Sequence, residues 1–229
     1  MTQHWCGLPE PSRMPRRAWA RARAWALALG VVAAAGCAQE TRFVQVRESR
    51  TEPLAFQRLA VAPFRLVDRP DAPRLPADAS ALVGGYVAEA FQARGLDVVA
   101  PSDVALQLGF SETEAPREPL DTRAVVAEVH RKFGADAVVL GSVYRFRDRS
   151  GEAMGSTHAA SVGFDVRIVS APAGALLWSG LFDETQVAFS ANLLRAPRYP
   201  GAGMRWLSVE EFARWGAGEV ARTVPLVAR

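Results

Sequence analysis

The fold follows from a short apolar run at residues 59–64, which reads LAVAPF. A continuous apolar run of this length, bounded by turn signals, is typical of a strand that is buried on both faces of a sheet. Pro63 has no backbone N–H, so we expect it at the end of the strand, where no ladder hydrogen bond is lost. The run therefore predicts a central strand from which the other elements can be placed.

A helix and a second strand follow this run. Ser80 is a candidate N-cap for a helix over residues 81–94, and Gly95 follows as its C-cap. The apolar residues of this helix share one face at helical spacing: Val83, Val87, Ala90 and Phe91. Residues 96–100 read as the next strand. Because a strand–helix–strand connection within one sheet is almost always right-handed and parallel, these elements predict a βαβ unit.

The second half of the chain predicts antiparallel strands between helices. Two helices come first, with candidate N-caps at residues 102–103 and 121–122. Three strand patterns follow, at residues 135–149, 160–169 and 176–185. Ser208 and Glu211 form a capping box that opens a last helix. The sequence thus predicts one α/β domain, whose mixed sheet has a parallel βαβ start, an antiparallel three-stranded meander and helices packed on it.

The N-terminal region has the order of an export signal. Residues 24–35 are twelve apolar or small residues without a charge. Five arginines precede them: Arg13, Arg16, Arg17, Arg21 and Arg23. This order, ending in small residues, is the signature of an export peptide. Twelve helical residues rise about 18 Å, whereas the hydrocarbon core is roughly 30 Å thick, so the run is too short to be a comfortable transmembrane helix.

The end of this region resembles the lipobox of bacterial lipoproteins. The match consists of residues 34–37, AAGC, although the family usually has leucine where this chain has Ala34. The resemblance implies cleavage between Gly36 and Cys37 and attachment of acyl chains, such as palmitate, to Cys37. Ala38 in place of aspartate implies transfer to the outer membrane, with the domain facing the periplasm. The alternative is an ordinary signal peptide that is cut nearby, with a cysteine present by chance.

These patterns divide the chain into three parts. Residues 1–36 are expected to be a lipoprotein signal peptide, and residues 37–57 a lipid anchor with a flexible tether. About twenty flexible residues span roughly 25 Å on average, which would keep the domain close to its membrane. Residues 58–229 are expected to form the α/β periplasmic domain.

Charge and cysteine content exclude several classes of function. The chain has a formal charge of +3, but residues 1–36 hold five arginines and one glutamate. The remainder has 22 basic and 23 acidic residues, so its net charge is −1. A nucleic-acid-binding domain typically has an excess of basic residues, which this part of the chain lacks. The two cysteines are Cys6, in the signal region, and Cys37. The mature chain therefore has neither a disulfide nor a thiolate metal site.

The order of the motifs resembles a family of lipoprotein domains with a TolB-N-terminal-like fold. This family includes the curli secretion lipoprotein CsgG and the penicillin-binding-protein activator lipoprotein. The resemblance covers about residues 58–186. The residues that carry it are 58–64, 95–99, 134–143, 164–174 and 176–180. It implies a non-enzymatic accessory or assembly factor that binds another envelope protein. A regulator, or activator, of a peptidoglycan synthase is the alternative, and an unrecognised hydrolase is a third possibility.

Two departures from that family bear on function. A membrane hairpin needs roughly 9–11 residues in each strand, and the segment at 148–158 cannot hold that, so a pore is rejected. The synthase activator has a longer tether than the one expected here, which disfavours that alternative without excluding it.

No catalytic, cofactor or metal motif is present in the sequence. The chain has no phosphate-binding loop, no Gly-x-Ser-x-Gly elbow and no His-x-x-x-His pair. His130 is expected on a solvated helix face and His158 in a turn. Asp183 and Glu184 are adjacent in a strand and face opposite ways, so they do not form a simple acid–base pair. We therefore expect no enzyme, no cofactor and no metal.

An irregular segment at residues 192–206 is the candidate partner-binding site. Arginines and aromatic residues are enriched in binding hot spots, and this segment holds five of them: Arg195, Arg198, Tyr199, Arg205 and Trp206. Such a surface could meet an acidic protein, lipid headgroups or glycan. The alternative is a loop that packs Trp206 against the last helix while its arginines face water.

Overall fold

The computed structural model describes residues 42–110, 115–153, 155–188, 190–193 and 195–227. The chain divides at Phe43, and residues 43–229 form the unit that these ranges cover. The signal peptide, the cleavage site at Gly36 and the anchor Cys37 lie outside the described residues. They stay predictions from the sequence.

The described residues form nine strands and four α-helices. The strands are β1 (Val44–Ser49), β2 (Arg58–Val61), β3 (Arg65–Leu66), β4 (Asp97–Val99), β5 (Ala137–Arg147), β6 (Ser150–Glu152), β7 (Gly155–His158), β8 (Ser161–Ser170) and β9 (Leu176–Thr185). The helices are α1 (Ala79–Gln92), α2 (Pro101–Gln107), α3 (Thr122–Phe133) and α4 (Val209–Thr223). Two short 3-10 turns, Ala196–Arg198 and Pro200–Gly203, lie between β9 and α4.

One mixed sheet has the strand order β1-β9-β8-β5-β2-β4, with β3 also paired to β5. Strand β2 runs parallel to both β4 and β5, whereas β5, β8, β9 and β1 are joined in antiparallel pairs. Strands β6 and β7 form a separate hairpin where the sequence predicted a plain turn. The predicted α/β class, the parallel start and the antiparallel meander are confirmed.

The two halves of the sheet are covered differently. Alternate residues of β5 enter two cores: Val139 and Val143 pack in the core that also holds residues of α1 and α4, and Val138 and Leu140 in a second core. The second core contains Val126 and other residues of α2 and α3. Helix α4 also packs against β8, β9 and β1. The parallel half is thus covered by helices on both faces, whereas the main helix contact of β9 and β1 is with α4.

The predicted N-caps of α3 and α4 are confirmed, whereas α2 begins at Pro101 after Ala100 and not at the predicted caps 102–103. Asp121 accepts hydrogen bonds from the backbone N–H groups of Arg123 and Ala124 at the start of α3. Ser208 and Glu211 form the predicted capping box of α4. The predicted cap of α1 is wrong, because α1 begins at Ala79 and the Ser80 hydroxyl donates to the carbonyl oxygen of Phe64.

The predicted boundary between tether and domain at residue 58 is wrong. Residues 44–49 form the edge strand β1, which pairs with β9. Leu54 bridges to Leu226, and Phe56 is buried in the main core. The strand was missed because only Val44 of its six residues is buried, which leaves the polar and charged composition common on edge strands.

Candidate functional site

The predicted segment lies at the end of the sheet where the chain enters it. Because β1 is antiparallel to β9, the chain enters β1 at the same end at which it leaves β9. Phe43 immediately precedes β1, and its ring centroid lies 4.9 Å from the guanidinium carbon of Arg195 and 5.0 Å from that of Arg198. We call residues 190–193 and 195–206 the loop surface.

An aromatic cluster supports the loop surface from below. The Tyr199 ring centroid lies 5.3 Å from that of Phe43, 5.8 Å from that of Phe212 and 5.2 Å from that of Trp215. Only 2% of Tyr199 is exposed. Burial of so large a ring means that Tyr199 stabilises the domain and is not available to a partner. This corrects its predicted role as a contact residue.

Arg195 is also engaged within the domain. It forms an ion pair with Glu184 of β9, and the side chains are only 24% and 14% exposed. Burial raises the pKa of Glu184 to about 7, against the opposing effect of the Arg195 charge. The pair therefore fastens the loop surface to the end of β9.

The end of the segment is fixed to the neighbouring elements by hydrogen bonds. Arg205 donates to both carboxylate oxygens of Glu211 at 2.7 and 2.8 Å. These hydrogen bonds, together with one from the Ser208 backbone, lower the pKa of Glu211 to about 2. The backbone N–H of Trp206 donates to the carbonyl oxygen of Ala153 at 2.8 Å, in the loop of the β6–β7 hairpin.

Sequence reasoning missed a buried amide that joins the segment to β9. The Gln186 side chain, in a residue that is only 3% exposed, donates to the Arg205 carbonyl oxygen and accepts from the Leu207 N–H, both at 2.8 Å. A glutamine just after a strand carries no sequence signal for such a bridge.

The side chains that the loop surface leaves exposed differ from the predicted set. Arg198 is exposed, and so are Leu193 and Met204, at 63% and 69%. Sequence reasoning missed both apolar residues. Their exposure could have been suspected from the sequence, because both are large apolar residues within a segment predicted to be an irregular loop.

A second candidate site lies where the chain leaves strands β2 and β4. After β2 the chain passes to α1 on one face of the sheet, and after β4 it passes to α2 and α3 on the other. In open α/β sheets, a crevice forms at the carboxyl ends of neighbouring strands whose connections diverge in this way. A cavity of about 490 Å³ lies there, which we call the crevice.

Small residues produce the crevice. Its lining includes Gly85, Ala88, Ala100, Ala105 and Pro101, and Glu89 is the charged residue among the lining residues that the structure describes. A Cβ atom built on Gly85 would meet nothing within 4 Å. The Ser80 hydroxyl also lines the crevice, but it already donates to Phe64. The crevice is therefore an apolar space suited to an apolar group.

The predicted titratable candidates lie elsewhere. His130 Nδ1 lies 2.9 Å from the carbonyl oxygen of Ala135, and His158 is exposed in β7. Asp183 pairs with Arg145, whereas Glu184 pairs with Arg195. Neither histidine lines the crevice. Within the described ranges, no group of three or more His, Cys, Asp or Glu residues could hold a metal ion, and no helix is long and apolar enough to span a membrane.

The chain was compared with known proteins. No protein-family model matches it, and no curated protein matches its sequence. Among solved structures, it is similar to the PelC dodecamer from Paraburkholderia phytofirmans, with 19% identity, 81% of this chain and 98% of that chain covered, and a TM-score of 0.48.

Two further solved structures are similar to part of the chain. Lipoprotein GNA1162 from Neisseria meningitidis is 20% identical, over 56% of this chain and 83% of that one, with a TM-score of 0.38. The LpoB C-terminal domain from Salmonella enterica is 17% identical, over 60% and 88% respectively, with a TM-score of 0.36. These similarities assign no family and no activity.

Proposed function

We propose that this chain is a lipid-anchored accessory protein of the bacterial envelope, which binds another envelope protein and does not act as an enzyme. The observation that carries the proposal is the position of β1, which begins seven residues after Cys37. Seven fully extended residues span at most about 25 Å. A domain anchored at Cys37 in the outer membrane would therefore stay close to the periplasmic face of that membrane.

The crevice is the proposed contact for the protein partner. It is apolar and concave, and Glu89, the charged residue among its described lining residues, forms an ion pair with Arg214. A partner that inserts an apolar side chain would match this space. Strands β1 and β4 are five strand spacings apart, which is about 24 Å. The crevice therefore lies at the edge of the sheet opposite the strand that leads to the anchor.

Affinity purification of the full-length protein from its membranes tests this proposal. The wild-type protein is compared with Gly85→Leu, which fills the crevice, and with Gly218→Leu as a matched control. Both glycines are helical and half-buried, and a Cβ atom on either would meet nothing within 4 Å. We expect one envelope protein to copurify with wild type and with Gly218→Leu, and to be lost with Gly85→Leu. Equal recovery with all three proteins would exclude the crevice as the contact.

The identity of the copurified protein decides between the general proposal and a narrower one. In the narrower form the partner is a peptidoglycan synthase that this chain activates. Because the connection from Cys37 to β1 is so short, such a synthase would have to bring its own domain close to this membrane. Recovery of the synthase, together with loss of its stimulation by Gly85→Leu, would support that form.

A further inference from the structure

The loop surface combines an exposed arginine with exposed apolar side chains. Residues 186–208 contain three arginines and no aspartate or glutamate. Two of these arginines are paired within the domain, to Glu184 and Glu211. Arg198 lies over the Phe43 ring and is still exposed, and Leu193 and Met204 are two of the most exposed large apolar residues in the described part of the chain. Cationic groups beside apolar tips are the composition that binds the interface of anionic membranes.

The covalent connection places this surface near the anchor. Phe43 contacts Arg195 and Arg198, so the start of the folded unit lies at the loop surface itself. Phe43 is six residues after Cys37, and six extended residues span at most about 21 Å. If Cys37 is in the membrane, the loop surface lies within that reach of the lipid headgroups, whatever path the intervening chain takes.

The surface is also held in one conformation. Three consecutive residues, Gly201, Ala202 and Gly203, have φ angles of 67°, 54° and 71°. Alanine rarely adopts this left-handed conformation, so the surrounding contacts must impose it. Gly203 lies against the carbonyl oxygen of Ala196, while the aromatic cluster under Tyr199 and the buried Arg195–Glu184 pair fix the preceding residues. A preformed surface loses little conformational entropy when it docks.

We infer that the loop surface docks on the anionic headgroups of the membrane that holds Cys37. Arg198 contacts lipid phosphates, while Leu193 and Met204 enter the boundary between headgroups and acyl chains. The acyl chains provide the attachment, and the loop surface fixes the orientation of the domain on the bilayer. This inference rests on the proposed function for the anchor at Cys37, but it assigns to the loop surface a lipid partner in place of a protein.

Fluorescence quenching in vesicles tests the orientation. The mature lipidated protein is reconstituted in vesicles of phosphatidylethanolamine and phosphatidylglycerol, some of which carry a nitroxide on the headgroup. Leu193→Cys is labelled with a fluorophore. Labelled Leu106→Cys is the matched control, because Leu106 is similarly exposed, at 58%, on α2 beside the crevice. The acylated Cys37 cannot react, so each label is specific. We expect at least about threefold stronger quenching at position 193 than at position 106.

A charge reversal provides the second measurement. Arg198→Glu, combined with a label at Met204→Cys, is expected to reduce the quenching about twofold at low salt, since a negative charge is repelled by the anionic surface. Because Arg198 is exposed, the charge reversal should not unfold the protein, and circular dichroism checks that the fold is retained. Equal quenching at positions 193 and 106 would overturn the inference, as would quenching at 204 that ignores the charge at 198.

The anchor and the orientation fail separately in this experiment. If the Cys37 thiol of the wild-type protein is not acylated and the protein does not float with vesicles, the lipid anchor is contradicted. A lipidated protein that floats but shows no quenching at position 193 would contradict only the loop-surface inference. Protection of the label at 193 by an envelope protein, without quenching by lipid, would also overturn it and identify a protein-binding surface.

Discussion

The loop surface and the crevice are two candidate binding regions made by opposite means on one sheet. The loop surface rests on large buried rings. Tyr199, Phe43 and Trp215 pack beneath it, and charged and apolar side chains remain exposed. The crevice results from the absence of large side chains, because Gly85 and Ala88 leave room between α1 and α2. A firm surface with exposed tips suits a broad partner such as a bilayer, whereas a concave apolar space suits a single inserted side chain.

The difference has consequences for mutation. A residue beneath the loop surface cannot be removed without loss of packing in the main core. A residue that lines the crevice can be enlarged with little effect on the fold, because its space is empty. Substitutions beneath the loop surface should therefore lower stability, whereas substitutions that enlarge a crevice residue should affect binding and leave the fold stable.

Tyr199→Ala should have the largest effect. It removes a buried ring that contacts three others, so we expect the free energy of unfolding to fall by about 3 kcal/mol. Urea unfolding measures the change. Arg198→Ala, one residue earlier and exposed, should stay within about 0.5 kcal/mol of wild type. Similar values for both variants would mean that the ring is not part of the core.

Gly203→Ala should destabilise the protein by about 2 kcal/mol. A left-handed φ is unfavourable for alanine, and its Cβ atom would also clash with the carbonyl oxygen of Ala196. Gly201→Ala is the matched control, because Gly201 has a similar φ but open space around the Cβ position. That variant should lose only about 1 kcal/mol. Thermal or urea unfolding separates the steric from the conformational cost, and equal losses would refute the close approach to Ala196.

Glu184 should make stability depend on pH. Burial raises its pKa to about 7 in the folded state, from the ordinary glutamate value of 4.5. Between these two values the folded state binds a proton that the unfolded state has released, so the stability contributed by the protonated group falls as pH rises. We expect wild type to lose on the order of 1 kcal/mol relative to Glu184→Gln between pH 5 and pH 7. A wild type that gains stability over this range would reverse the assignment.

Gly85→Ala should have the smallest effect and the opposite sign. The Cβ atom meets nothing within 4 Å, and replacement of a helical glycine should stabilise α1 by about 0.5–1 kcal/mol. Gly218→Ala in α4 is the matched control, with the same open space and the same expected gain. Chemical unfolding of both variants measures it. A loss of stability at Gly85 alone would mean that the crevice is closed in solution.

The sequence predicted those parts of the fold in which burial follows a simple pattern. The run at residues 59–64 and the start of β5 are covered by helices on both faces, so they are continuously apolar and easily recognised. The edge strand β1 buries one of its six residues and therefore read as a polar tether. Its pairing with β9 depends on a contact between residues far apart in the chain, which local composition does not encode.

The candidate sites were less predictable for two physical reasons. Tyr199 lies in an irregular segment near two prolines, and such composition usually indicates exposure, yet the aromatic cluster buries it. The crevice is defined by the absence of side chains at Gly85 and Ala88, and small residues in a helix do not distinguish a groove from close packing. The sequence does not show that Leu193 and Met204 are exposed, or that two of the neighbouring arginines are engaged in ion pairs.

Paired photo-cross-linking in living cells tests the central claim most directly. A photoreactive amino acid is placed at Leu193 in one strain and at Leu106 in another, and cross-linked products are identified by mass spectrometry. The account predicts lipid adducts from position 193 and one dominant envelope protein from position 106, lost when Gly85→Leu is added. A dominant protein captured from position 193, with none from position 106, would contradict the assignment of the two surfaces.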